Sequence, residues 1–548
     1  MKHHDRRRKR LGQVIGCSTV IALVLTCQSG PHAQQSNATY PPDIVRLLDQ
    51  ATFGPTVDSV QHAADRGVEA WISEQFNTPL TPYPSLPHMP STRPTSCTGT
   101  CARDNYSMYP LQVYFFNNAL TGADQLRQRV AFALSQIFVV SALSNVTLPS
   151  WMGPYQQLLY QDAFTNYRQL LTDVTLSPAM GSFLNVLNNK KLNPTTGVKP
   201  NENYAREVLQ LFSIGLVMLN PDGTPMLDEN GQQIPTYDQA TVEEFARVFT
   251  GWTLRPAFGA GIPNYQDRMI QHVVNNVEVD HDNGSKTLLG GEVFPDGVSA
   301  AQDLYDAIDN IAEHPNVGPF IGKQLIQHLV TSNPSPAYVA RVSAAWADNG
   351  YGTSGDIPTV VWAILTDPEA RGDFHAEPNY GHLVEPALFI TRVLRAFNAK
   401  SDGVLNPYSA NMEQDLFRAA SVFNFYPPGY RIVGGNGLLG PEFKLQDSQS
   451  ALTRINFVNT VVFGGIPPAP PDRPTGTTLD LSRLNALASN SGALVDELNG
   501  FLMHGAMSQA MHDAIVGAVE AVPVSNLPMR VQTAVYLVAS SSQYQVEQ

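Results

Sequence analysis

Between Asp43 and Ser540 the apolar residues recur at three- and four-residue spacing, and run after run is closed by a cap or a stop. This periodicity commits most of the chain to amphipathic helices, because a repeat near 3.6 residues brings those positions to one face. Asp43 can cap a helix carrying Ile44, Leu47, Leu48 and Ala51, stopped at Gly54. Thr56 opens a second with Val57 and Val60, stopped at Gly67. Residues 121–143 read as one long buried helix through Leu126, Val130, Leu134, Ile137 and Phe138. The same pattern predicts helices at about 155–165, 298–313, 317–331, 335–348, 356–366, 382–398, 411–420, 448–463, 492–503, 508–521 and 528–540. No fixed-period repeat relates them. The expectation is a mainly α, multi-helical fold.

Four stretches depart from it. Residues 80–101 are rich in Pro, Ser and Thr. Residues 464–477 read as a stiff Pro-rich connector. Residues 219–236 carry Asp222-Gly223 and Asn230-Gly231, turn pairs that predict a β-hairpin. Residues 262–296 read as irregular with short strands. A chain of 548 residues exceeds what one core usually spans, so lobes at 43–260 and 298–546 are expected within a helical domain over 43–546.

The N-terminus has the pattern of an export signal. Lys2, Arg6, Arg7, Arg8, Lys9 and Arg10 precede an apolar stretch from Val14 to Leu25, and Ala33 suits the cleavage point. The expectation is a signal peptide at 1–33, a short tail at 34–42, and a periplasmic or secreted mature chain. Lipid attachment at Cys27 is the lesser alternative. No later stretch is apolar for 18 residues, so no transmembrane span is expected in the mature chain. The formal charge of −14 becomes more negative once the basic leader is removed. So acidic a chain repels nucleic acid and anionic lipid, and points to neutral or cationic partners. Cys17 and Cys27 depart with the leader. Cys97 and Cys101 remain, and in an oxidising compartment they most simply form a short-loop disulfide.

The most specific segment runs Pro200-Asn201-Glu202-Asn203-Tyr204-Ala205-Arg206-Glu207-Val208-Leu209-Gln210-Leu211-Phe212. Asn201 suits an N-cap, and Glu202 and Arg206 stand at i and i+4 in the favourable acid-before-base order. Glu207 and Asn203 lie at the margin of the apolar face. With Leu211-Phe212-Ser213-Ile214-Gly215-Leu216, this segment resembles the signature of the domain of unknown function 1800 family. Phe249-Thr250-Gly251-Trp252-Thr253 resembles that family's second hallmark. His281-Asp282-Asn283-Gly284-Ser285-Lys286-Thr287-Leu288-Leu289-Gly290 is close to its His-Asp-x-Gly-x-Lys-x-x-Leu-Gly pattern. Ala51-Thr52-Phe53-Gly54-Pro55-Thr56 resembles the family's start; Ala534 to Val538 and Tyr544-Gln545-Val546 resemble its end. The resemblance spans about 43–546 and implies bacterial export and a helical fold, but no activity. Many members carry His-Asn-His-Phe in the helix matched by residues 131–140. This chain reads Ala133-Leu134-Ser135-Gln136-Ile137-Phe138 there, which puts any metal role of those imidazoles in doubt.

The candidate catalytic residues are Glu202, Glu207, His281 and Asp282; the candidate binding residues are Asn201, Asn203, Arg206, Trp252 and Lys286. A carboxylate or His281 would act as acid or base, and Arg206 or Lys286 would hold an anionic group. The plainer alternatives are a surface ion pair for Glu202 and Arg206, a turn for Asp282-Asn283-Gly284, and core packing for Trp252. His272 and Asp280 are possible metal ligands. Asp222, Asp228 and Asn230 are suggestively spaced for calcium but lack a closing Glu. His314 and His328 flank an apolar helix, as ligands or as helix-end and half-buried residues. No metal or cofactor is assigned. Motifs for serine hydrolases, phosphate-binding loops, zincins and c-type haem are absent. The first reading is an extracytoplasmic enzyme in which these carboxylate, Arg and His groups converge in one cleft and act on a small molecule or polymer; the second is a non-catalytic scaffold or binding protein for an extracytoplasmic partner or polymer.

Overall fold

A computed structural model describes residues 40–372, 377 and 379–547. The leader, with Cys17 and Cys27, and most of the 34–42 tail lie outside the described residues. Many of the helices begin where a side chain satisfies a free backbone N–H group, although the first, Pro42–Ala51, follows Pro41 with no side-chain cap and holds Asp43 inside its first turn. Thr56 and Ser59 form a reciprocal capping box on Val57–Arg66, and Asp447 and Ser450 do the same on Ser448–Phe463. Ser299, Ser335, Asp356 and Ser508 cap Ala300–Ala312, Pro336–Ala347, Ile357–Thr366 and Gln509–Glu520. Those helices, with Pro42–Ala51, Val317–Leu329, Ser491–Leu502 and Leu527–Ala539, match the expected periods closely. The mainly α fold is therefore established. No helix of the described residues is long and apolar enough to cross a membrane.

Tertiary bonds override the sequence periodicity in three places. The helix expected at 121–143 is the shorter Gln125–Ile137, broken from the preceding helix Tyr109–Thr121. The break falls where the Asp124 carboxylate accepts the Thr81 backbone N–H at 2.8 Å and the Gln128 amide at 2.6 Å. Beyond Ile137 the backbone bonds a distant segment instead, with Ala142 N–H donating to Phe417 O at 2.8 Å. The helix expected at 411–420 is absent, because Glu413 and Phe417 take positive φ; a short helix, Asn406–Ala410, precedes them. The helix expected from 382 begins at Pro386, since His382–Leu383 pairs antiparallel with Val546–Glu547. Tyr167–Leu176 and Pro178–Phe183 escape the periodic reading because nearly every position in them is buried.

Residues 217–235 form a three-limbed meander rather than one hairpin. Met218, Met226 and Ile234 bond one another in turn, through the turns at Asp222-Gly223 and Asn230-Gly231. Short antiparallel strand pairs occupy the 262–296 region as expected. The Pro-rich 464–477 segment folds back on itself through bridges at Ile466/Thr477 and Ala469/Arg473. The regions 43–260 and 298–546 share one hydrophobic core, which runs from Tyr40 to Tyr544.

The two ends of the described chain meet inside that core. Arg392 donates to the Asp49 backbone carbonyl at 2.9 Å, pairs with the Asp49 carboxylate at 3.3 Å, and contacts the Glu547 carboxylate. His504 Nε2 lies 2.6 Å from Asp49 and His382 Nε2 3.4 Å from Glu547. A side chain at Gly54 would meet the Arg392 Cα at 2.6 Å, so only glycine lets the first helix turn against this one.

Candidate functional site

The helix after Pro200 starts one residue later than its sequence suggests, at Asn203, with Glu202 in the cap position. Asn201 closes a local turn instead, its side chain accepting the Asn203 N–H at 2.9 Å. Asn203 in turn donates to Asn185 at 2.8 Å. Glu202 and Arg206 pair at 2.9 Å, and Gln239 bonds both, at 2.9 and 3.0 Å. This triangle is solvent-facing, and an exposed i, i+4 pair contributes only about 0.3–0.5 kcal/mol. Glu207 is half-buried. Burial raises its carboxyl pKa while Arg206 opposes the rise, and one of its oxygens is buried without a partner. The neighbouring Tyr237 hydroxyl is also buried and unpartnered, its pKa pushed by burial up to about 12 with Arg206 opposing.

The second and third motifs form a sealed knot. Asn189 joins them to the first: its side chain accepts the Asn201 N–H at 2.8 Å, and its carbonyl accepts the Gly251 N–H at 2.9 Å. Thr250 accepts the Asp282 N–H at 2.9 Å and faces His281 Nδ1 at 3.2 Å. His281 Nε2 lies 3.1 Å from the Asp303 carboxylate. Lys286 donates to the carbonyls of Asp282 and Gly284 at 2.6 and 2.9 Å and contacts the same Asp303 oxygen. The side chains of Lys286, Asp303 and His281 are 0, 1 and 2% exposed. All three Lys286 protons are thereby used. Gly251 has φ +84°, and a Cβ there would sit 2.7 Å from the His281 Cβ. Asp282 takes a two-pronged bond from Arg247 at 3.1 and 3.0 Å. Burial pushes its carboxyl pKa up, but Arg247 outweighs this and holds it below the usual range. Trp252 is buried and pairs with Gln271 and Leu187, so it packs rather than presenting an open ring.

In place of the shared cleft expected from sequence, the residues thus fall into two settings: an exposed triangle and a closed interior knot. Asp303, Asn189, Arg247 and Thr250 complete the knot, and sequence reasoning passed over them. Asp303 did leave a signal, since it interrupts the apolar face of Ala300, Leu304, Ala307, Ile308 and Ile311. Among the described residues no group of three His, Cys, Asp or Glu side chains is arranged to hold a metal. His272 contacts Asp280, which also pairs with Lys190 at 3.4 Å. Asp222 and Asp228 accept bonds within their own turns, from Thr224 at 2.9 Å and from Asn230 and Gln232 at 2.8 Å.

Two further features were invisible in the sequence. One is a buried polar centre in which Glu385 accepts from Gln136, Gln414 and Tyr426 at 3.1, 2.5 and 2.9 Å. Gln136 lies in the 131–140 segment that the family resemblance aligns with a His-Asn-His-Phe motif. Nearby, burial pushes the Glu442 carboxyl up to about 7. The other is a groove of about 710 Å³ between the start of Tyr109–Thr121, the 403–407 turn and the folded-back 469–473 segment. Tyr109, Val113, Val404, Pro407 and Pro471 supply its apolar surface. Arg103 covers the Tyr109 ring at 4.5 Å and pairs with Asp104 and Asp472 at 2.7 and 2.6 Å. The Cys97–Cys101 disulfide, its Cα atoms 5.2 Å apart, ties the turn at Cys97 to the first turn of the short helix Thr100–Asn105 that carries Arg103.

A family model described as "Protein of unknown function (DUF1800)" matches residues 46–546. No curated protein and no solved structure matches the chain.

Proposed function

The chain belongs to the DUF1800 family of proteins of unknown function, a premise that brings no activity with it, and on the geometry alone we propose that it is an exported, non-catalytic binding protein holding a neutral polar ligand, of the class of a short oligosaccharide, in the groove beside Tyr109. The observation that carries this reading is the groove, whose volume of about 710 Å³ and mixture of apolar wall and polar groups suit a small-ligand site. Arg103 already has its carboxylate partners, so a charged guest would have to displace an ion pair. Hydroxyls can instead donate to the Gln112 side-chain oxygen, whose amide nitrogen already bonds Asp415 and Leu416, and share the loop groups, while the apolar face of a sugar lies on the Pro and Val surface. The enzyme reading has less support, because His281, Asp303 and Lys286 face one another and leave no room for a substrate. Export is supported by the basic-then-apolar leader and by a disulfide, a bond that persists in oxidising compartments.

Calorimetry and a glycan array with the purified protein test the proposal. Binding to at least one neutral glycan is expected, and Val113→Trp, which fills the groove from a half-buried helix position, should weaken it at least tenfold while leaving the melting temperature nearly unchanged. Binding that survives Val113→Trp, or no glycan binding by the unaltered protein, would overturn the reading.

A further inference from the structure

One of the least compensated charges among the described residues lies away from both the knot and the groove. Arg129, on the helix Gln125–Ile137, is 0% exposed. One of its nitrogens donates to the His328 backbone carbonyl; Nε and Nη1 are buried and have no partner. No carboxylate of the described residues pairs with it. The acid that bears on it most is Glu385, and both oxygens of that carboxylate are already occupied by Gln136, Gln414 and Tyr426. Beside it the His328 ring is kept neutral, its pKa lowered to about 3 by burial and then by Arg129 and His382, so it adds no charge. Its Nδ1 is also buried and unpartnered.

A guanidinium cannot escape this setting by losing its proton. Buried N–H groups are almost always bonded, and a buried charge without a counter-charge is strongly destabilising. Two unbonded donors on one permanent cation call for an acceptor that carries negative charge. We propose that Arg129 holds a small monovalent inorganic anion of the chloride class inside the core, between the helices Gln125–Ile137 and Val317–Leu329. The surrounding side chains, Gln136, His328, Glu385 and Tyr426 among them, are all buried. That enclosure suits a one-atom guest better than a polyatomic one. The anion would make the folded state sensitive to halide, because a ligand that binds only the folded chain stabilises it by mass action.

The test uses the whole protein and bromide as the probe. Crystals grown in bromide should show an anomalous peak within hydrogen-bond distance of Arg129 Nε or Nη1. Melting temperature should rise by several degrees when chloride replaces a bulky organic anion at constant ionic strength, and Arg129→Met should abolish that rise. If Arg129→Met does not fold, the anomalous map decides alone. Water density without anomalous signal at Arg129, or an equal chloride response in a folded Arg129→Met protein, would overturn the proposal.

Discussion

Replacing Arg392 with methionine is expected to lower the stability of the protein by about 3–5 kcal/mol, the range typical of breaking a buried ion pair from one side. Among the described residues, Arg392 is the only charge-bearing link common to Asp49, near the start of the described chain, and Glu547, near its end. All three side chains are less than a tenth exposed. Removing the guanidinium leaves two buried carboxylates facing His504 and His382 alone. The effect is also pH-dependent, with a definite sign. Burial by itself would raise the Glu547 carboxyl, but Arg392 and then His382 outweigh it and hold its pKa well below the ordinary glutamate value. A depressed folded-state pKa stabilises the protein above the unfolded value, about 4.5, and that contribution is lost as pH falls through the folded value. Denaturant unfolding across pH 3–8 should therefore show a fall below about pH 4.5 in the unaltered protein. Glu547→Gln should flatten that fall. A melting temperature insensitive to Arg392→Met would contradict the assignment.

Lys286→Met is expected to cost about as much, again about 3–5 kcal/mol, for a related reason. The ammonium is fully buried, and its three bonds close the 282–286 turn on to Asp303. Methionine fills similar volume but leaves the Asp303 carboxylate with only His281 and strands two carbonyls. The damage should be local before it is global: amide exchange should accelerate across 280–287 and at Asn189 and Gly251, whose bonds depend on the same packing. Arg206→Ala offers the contrast. Its exposed pair should change stability by less than about 1 kcal/mol. If Lys286→Met melts like the unaltered protein, the knot is not a structural element.

The helical body was legible because its signals are local. Thr56, Asp238, Ser299 and Ser508 cap where their positions suggest, and the apolar stripes that follow are buried. What was illegible depends on residues far apart in the chain. The break at Asp124 is made by Thr81, and the end of the next helix by the backbone at Phe417. The site residues divide in the same way. The motifs were found by pattern, and the disulfide by compartment and spacing, but a pattern cannot say whether a histidine faces a cavity or a buried aspartate. His281 needed Asp303, 22 positions on, to be understood. The groove is assembled from four stretches, 99–103, 109–113, 403–407 and 469–473, the last of which belongs to the 464–477 segment that reads in sequence as a mere connector.

The central claim is that the second and third polar motifs of this chain form a sealed interior knot rather than an open site. Competitive amine labelling of the native protein, read residue by residue by mass spectrometry, tests it most directly. Lys190 and Lys199, whose side chains are 62 and 68% exposed, should react at the rate of a free amine. Lys286 should remain unmodified until the protein unfolds. Labelling of Lys286 in the folded protein at a rate comparable with Lys199 would contradict the account and return these residues to an accessible cleft.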